Sequence, residues 1–278
     1  MEVTVQGPNA HRMNAESVEV FTPFMGMSPE DFKKLSSSVL IAIPCRTGEG
    51  SGIHLSNNFG MWGLCGTKVA QFNEGHDGFI ELTRQGIVKC FLEMCQNNEG
   101  LEYLVMIDND ERVHWDVPYR LAQWGKDIVT GVVCSFNTTK GGTFTCFVTK
   151  DKHGVGRFAT VSRTKKLPMQ GLREIEACGT GLLCVHKRVF ERLASLGEYP
   201  FEIPQALRRQ AMATGSLAQG EDMAFCAKAK AAGFKLYVDF SAHAGHYKMI
   251  EIRWPDQGRD SSISAAEWEV SPDDYVHT

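Results

Sequence analysis

Residues 39–43, Val39-Leu40-Ile41-Ala42-Ile43, are apolar without interruption until Pro44 stops the run. A strand apolar at every position is covered on both faces, which is the condition of a parallel sheet packed between helices. The chain then repeats the theme. Between residues 79 and 95 apolar side chains recur at helical spacing (Phe79, Leu82, Ile87, Phe91, Met94). Residues 101–107 read as a second strand, which ends in Asp108-Asn109-Asp110. Residues 116–124, with Pro118 in the first turn, read as a helix, and 127–133 as a third strand. This β-α-β-α-β order predicts an α/β fold: a mostly parallel central sheet with helices on both faces.

Beyond residue 135 the pattern changes. Residues 143–150 and 157–163 are β-rich and flank Asp151-Lys152-His153-Gly154-Val155-Gly156, which has hairpin-turn chemistry. Short strands at 174–177 and 182–185 enclose Cys178-Gly179-Thr180-Gly181. A small β-rich subregion beside the main sheet is expected. Residues 187–196 and 204–212 read as helices, 221–232 as a helix with acids at its start and Gly233 as its stop, and 235–240 as a strand. Near the N-terminus, Ser28-Pro29-Glu30-Asp31 opens a helix over 29–35. The expected organisation is an arm at 1–36, a body at 37–250 with halves at 37–135 and 136–250, and a tail at 251–278 anchored by Trp254 and Trp268.

Composition narrows the functional classes. Of 278 residues 43% are hydrophobic and 22% charged, which excludes global disorder. A net charge of -4 argues against a chain whose main work is neutralising a phosphate backbone. Basic residues do cluster at Arg157, Arg163, Lys165 and Lys166, and at Arg208-Arg209, as a solvated face or a strip for an anionic acceptor. No apolar stretch reaches the ~18–20 residues of a membrane span. Met1-Glu2-Val3 lacks the basic start and apolar run of a signal peptide, so a cytoplasmic protein is expected. Nine cysteines, an odd number without any CxxC, read as reduced, buried thiols.

Three short stretches carry candidate chemistry. Asp108-Asn109-Asp110 sits where a strand ends, and ligands of open α/β sheets gather at that edge. Two carboxylates there suit a hard divalent cation holding a diphosphate, or an acidic turn. Glu221-Asp222 opens a helix, where acids also serve as caps. His243 and His246 follow the last strand, as imidazole ligands or as surface residues of a loop. The Gly-rich loop 46–52 permits close backbone approach, but neither it nor Gly63-Leu64-Cys65-Gly66-Thr67-Lys68 has P-loop spacing; both read as ordinary loops.

In this order the pieces resemble the GT-A glycosyltransferases, in the compact family-2-like form of bacteria and their phages, over residues 39–248. Leu40-Ile41-Ala42-Ile43-Pro44 is similar to that family's first strand, whose end meets the nucleotide base. Thr83-Arg84-Gln85 resembles a helical Ala-Arg-Asn near the nucleotide, of which only Arg84 matches. Cys178-Gly179-Thr180-Gly181-Leu182-Leu183 resembles the Gly-x-Gly strand beside the acceptor cleft, and Glu221-Asp222-Met223-Ala224-Phe225-Cys226 the Glu-Asp helix.

The resemblance implies a Rossmann-like GT-A fold and transfer of a sugar from a nucleoside-diphosphate sugar to a hydroxyl acceptor, with Mn²⁺ or Mg²⁺ as cofactor. It implies Asp110 and His246 as metal ligands with His243 as substitute, and Pro44, Arg46, Arg84, Asp108 and Asp110 on the donor. Gly179, Thr180 and Gly181 fall on the acceptor, and Asp222, then Glu221, to the catalytic base. A modified base in phage DNA is one acceptor this class suggests. Two other readings stand beside it: a sugar-1-phosphate nucleotidylyltransferase, and a non-catalytic protein that binds a nucleotide sugar or nucleic acid.

Overall fold

The structure, a computed structural model, describes residues 26–45, 56–73, 80–137, 142–150, 156–161, 171–205 and 220–246. The chain divides into Met1–Tyr247 and Lys248–Thr278, and all that follows concerns the first unit.

Helix α1 (Pro29–Ser37) begins as its sequence dictates. The Ser28 side chain accepts from the Asp31 backbone N–H, and Pro29 occupies the first turn. Strand β1 (Val39–Cys45) follows and is buried at every position. Next come α2 (Ser56–Leu64), β2 (Lys68–Asn73), α3 (Ile80–Asn97), β3 (Tyr103–Ile107) and β4 (Glu111–Val113). The chain continues through α4 (Val117–Gln123) and β5 (Ile128–Asn137) to β6 (Gly142–Lys150) and β7 (Gly156–Val161). It closes with β8 (Leu172–Ile175), β9 (Ala177–Cys178), β10 (Leu182–His186), α5 (Lys187–Ser195), α6 (Glu221–Ala231) and β11 (Leu236–His246).

The central path of the sheet runs β2-β1-β3-β10-β5-β11-β4. Strand β1 is parallel to β2 and β3, and β5 is parallel to β11. Strand β10 is antiparallel to both β3 and β5, so β2, β1, β3, β5 and β11 all run one way. The outer half of β5 pairs with β6, which also carries β7 and β9. The β-rich subregion is therefore an extension of the same sheet through β5.

Alternation along each strand feeds two cores. Leu40 and Ala42 of β1 and Leu104 and Met106 of β3 face one; Val39, Ile41 and Ile43, with Val105 and Ile107, face the other. Ile87 and Phe91 of α3, Phe190 of α5 and Phe225 of α6 close the first core. Phe32 of α1, Trp62 of α2 and Tyr119 of α4 close the second. Helices thus cover both faces, as the uniformly apolar strands require.

Three expectations change. Gly63 and Leu64, read as the start of a loop, end the helix Ser56–Leu64: Trp62 is fully buried and its Nε1 donates to the Trp115 carbonyl at 2.7 Å, which holds an otherwise weak helix former in place. Lys68, placed by the sequence reading in a loop, begins a strand. His243 and His246 lie within β11 rather than after it, because β5 and β4 continue its ladder past an irregularity between Asp239 and His243. Among the described residues no helix is long and apolar enough to cross a membrane. Cys45 is buried and Cys178, Cys184 and Cys226 are buried free thiols, whereas Cys65, Cys90 and Cys95 are only half-buried.

The arm before residue 26, the loop with Arg46, the hairpin turn at 151–155, most of the expected helix at 204–212 and the tail with Trp254 and Trp268 lie outside the described residues. So do Arg163, Lys165, Lys166, Arg208 and Arg209, and the side chain of Arg157.

Tight packing where strands cross the core gives a direct test. A Cβ added at Gly131 of β5 would fall 2.3 Å from Leu182 Cδ2 and 2.7 Å from the Ala242 carbonyl oxygen. Gly131→Ala should destabilise the fold by about 1–3 kcal/mol in equilibrium urea unfolding, and an unchanged midpoint would contradict this packing.

Candidate active site

The reversed strand β10 builds the site. Because Leu182 pairs with Ile107, the turn before β10 meets the carboxyl end of β3. The Asp108 N–H donates to the Gly181 carbonyl at 2.9 Å, which ties the two segments together. Residues 108–111 form a turn closed by the Glu111 N–H on the Asp108 carbonyl at 3.0 Å. That turn presents three carboxyl groups at one sheet edge: Asp108 partly exposed, Asp110 exposed and Glu111 2% exposed.

Arg84, on the fifth residue of α3, reaches this edge from the helix N-terminus. Its Nη2 donates to both oxygens of Asp108 at 3.0 and 3.1 Å. Its Nη1 donates to Asp222 Oδ1 at 3.3 Å and to Glu221 Oε1, at the start of α6. The side chain is only 4% exposed. Burial opposes its charge, but Asp108, Asp222 and Glu221 together outweigh burial and raise its pKa. Asp222 Oδ1 also accepts from Thr180 Oγ1 at 2.5 Å. A closed circuit results: Asp108 to Arg84, Arg84 to Asp222, Asp222 to Thr180, and through Gly181 back to Asp108.

Burial and crowding of like charges raise the carboxyl pKa values here. Desolvation lifts Asp222 to about 6, against the opposing pull of Arg84. Desolvation also raises Asp108, again opposed by Arg84. Glu111 is pushed up to about 8 by burial and by Asp110 and Asp108. A Cβ on Gly181 would lie 3.1 Å from Glu111 Oε1 and 3.5 Å from Asp108 Oδ2, so glycine leaves room for both carboxyls.

The other residues singled out from the sequence are distributed around this edge. Pro44 is buried in β1, in register with Phe72 of β2. Thr180 is buried, and Gly179 and Gly181 are partly exposed. His246 is the register partner of Glu111, which brings the end of β11 to the acidic turn, whereas His243 is exposed and in register with Val132. Glu111 escaped the sequence reading, although its place directly after Asp-x-Asp was visible.

A hard divalent cation fits this donor set in one respect: the turn offers only oxygen ligands beside an excess of negative charge. Among the described residues no three His, Cys, Asp or Glu side chains are grouped to hold an ion by themselves.

Neither a protein-family model nor a curated protein matches this sequence. Among solved structures the backbone resembles A197 from STIV, with a TM-score of 0.45 and 19% identity over 76% of this chain and 86% of that one. GalNAc-T7 with UDP, GalNAc and Mn²⁺ gives 0.43 and 13% over 77% of this chain and 44% of its own, so this chain spans under half its length. A nucleoside-diphosphate-sugar pyrophosphorylase from Vibrio cholerae gives 0.30 and 12% over 76% of each chain. These likenesses concern the course of the backbone and not its chemistry.

The raised Glu111 pKa has a stability consequence. A carboxyl that titrates near 8 when folded and near 4.5 when unfolded favours the fold below about pH 4.5 and loses that contribution as pH rises through 8. Glu111→Gln should therefore stabilise the metal-free protein at pH 8 by on the order of 1–3 kcal/mol and far less at pH 5. Equal effects at both pH values in thermal melts would contradict the raised pKa.

Proposed function

We propose that this protein is a metal-dependent glycosyltransferase that moves a sugar from a nucleoside diphosphate to a hydroxyl acceptor. The observation that supports it best is an imbalance of charge at one sheet edge. The carboxylates of Asp108, Glu221 and Asp222 meet the single guanidinium of Arg84, and Asp110 adds a further negative charge beside Asp108. Such an edge repels a bare diphosphate and favours one delivered with a divalent cation.

In this reading Asp110, the most exposed acid of the turn, and His246, in register with the next residue Glu111, hold the cation. When bound, Mn²⁺ or Mg²⁺ would offset the charge that grows on the leaving diphosphate. Asp108, already paired with Arg84, faces the donor as a hydrogen-bond acceptor for a ribose hydroxyl or a metal-bound water. Pro44 closes the donor side at the end of β1. Gly179, Thr180 and Gly181 form the acceptor-side wall, where the absent side chain of Gly181 leaves room. Asp222 takes the proton from the acceptor hydroxyl if the anomeric centre inverts; its pKa of about 6 leaves it largely ionised at neutral pH and more basic than an ordinary aspartate.

Two substitutions separate these roles. Asp110→Ala should cut metal-dependent release of nucleoside diphosphate by about 100-fold or more, while its exposure limits the change in stability to roughly 0.5 kcal/mol. Undiminished release would remove the metal assignment. Asp222→Asn should preserve donor binding and slow transfer by about 100-fold or more; equal loss of both would make Asp222 structural.

A further inference from the structure

We propose that Arg84 is a positioning residue, which fixes the acceptor-side carboxylate of Asp222 against the donor-side Asp108 and does not itself hold the donor. This rests on the glycosyl-transfer reading above and reassigns a residue that the sequence resemblance placed on the donor. The geometry is specific. Both terminal nitrogens of the guanidinium are engaged with carboxylates of this chain, Nη2 with Asp108 and Nη1 with Glu221 and Asp222. With 4% of its side chain exposed, Arg84 offers almost no surface to a ligand.

What the fork does instead is join two halves of the site. Asp108 ends β3, and Asp222 lies in the first turn of α6, 114 positions further along the chain by their numbers. A general base must be held within hydrogen-bond reach of its proton, and a displacement of about 1 Å costs on the order of 100-fold in rate. Asp222 Oδ1 is gripped from two directions, by Arg84 Nη1 from α3 and by Thr180 Oγ1 from the turn before β10. That turn is in turn fixed to Asp108 by the Asp108 N–H to Gly181 carbonyl bond. The planar fork suits this task, and a lysine ammonium can replace its charge but not its span.

Steady-state kinetics on Arg84→Gln, Arg84→Lys and Thr180→Val, each checked by circular dichroism, decide the matter. Arg84→Gln should lower kcat by about 100-fold with the donor KM within about 3-fold, the signature of a lost transition-state arrangement rather than lost ground-state binding. Arg84→Lys should recover about 10-fold of that loss. Thr180→Val, which removes one hydroxyl and keeps the shape, should lower kcat by about 10-fold, again without moving the donor KM. If Arg84→Gln does not fold, the Lys and Val variants carry the same comparison. A donor KM that rises while kcat holds would make Arg84 a donor contact and overturn the inference, as would unaltered kinetics in a wild type that transfers sugar. A wild type with no transfer under any donor would instead defeat the proposed function, and the inference with it.

Discussion

One guanidinium organises this molecule's carboxyl edge. Arg84 lies 24 residues from Asp108 and 137 and 138 from Glu221 and Asp222, yet its fork touches all three. Buried ion pairs repay their desolvation only when charges and hydrogen bonds are well matched, and removal of one partner leaves the others costly. Here the partners come from the end of a strand and the start of a helix, so the pairing acts as a fastening between segments that the backbone alone leaves separate. The strand order makes the fastening possible. If β10 were parallel to β3, its preceding turn would lie at the opposite edge, and Thr180 could not reach Asp222.

Much of this architecture was legible in the chain. Val39–Cys45 and Tyr103–Ile107 are uniformly apolar because each feeds two cores, and that property is visible without coordinates. The cap at Ser28, Pro29 in the first turn and the stop at Gly233, whose φ is 94°, are local chemistry and equally readable. What escaped was decided by tertiary contact. Ser56–Leu64 contains two asparagines and two glycines, poor helix formers, and is held by the burial of Trp62 and by Asn58 donating to the Val113 carbonyl. The end of β11, Ser241-Ala242-His243-Ala244-Gly245-His246, has weak strand propensity and becomes a strand because neighbours on both sides pair with it.

The site was legible in its parts and not in its connections. Asp108, Asp110, Glu221 and Asp222 stand out as acids at element ends, where capping or turn formation accounts for each singly. Only the fold reveals that Arg84 binds three of them, and that Thr180 is a hydrogen-bond donor to Asp222 and not merely part of a Gly-rich turn. Glu111 illustrates the same limit. A glutamate after a strand is ordinary, but 2% exposure beside two aspartates makes it an acid that stays protonated into the neutral range. Its raised pKa and that of Asp222 share a first cause, desolvation by burial, to which the neighbouring carboxyls add.

The proposed preference for a cation-borne diphosphate depends on the excess of negative charge at this edge. The most direct test is thermal denaturation with each nucleoside diphosphate in turn, with and without Mn²⁺. A ligand present at about 100 times its Kd stabilises the fold by about 2.7 kcal/mol, which thermal melts resolve easily. One nucleoside diphosphate should raise Tm markedly in the presence of Mn²⁺ and little or not at all without it. Equal stabilisation without the metal, or no stabilisation by any nucleotide with it, would contradict the claim.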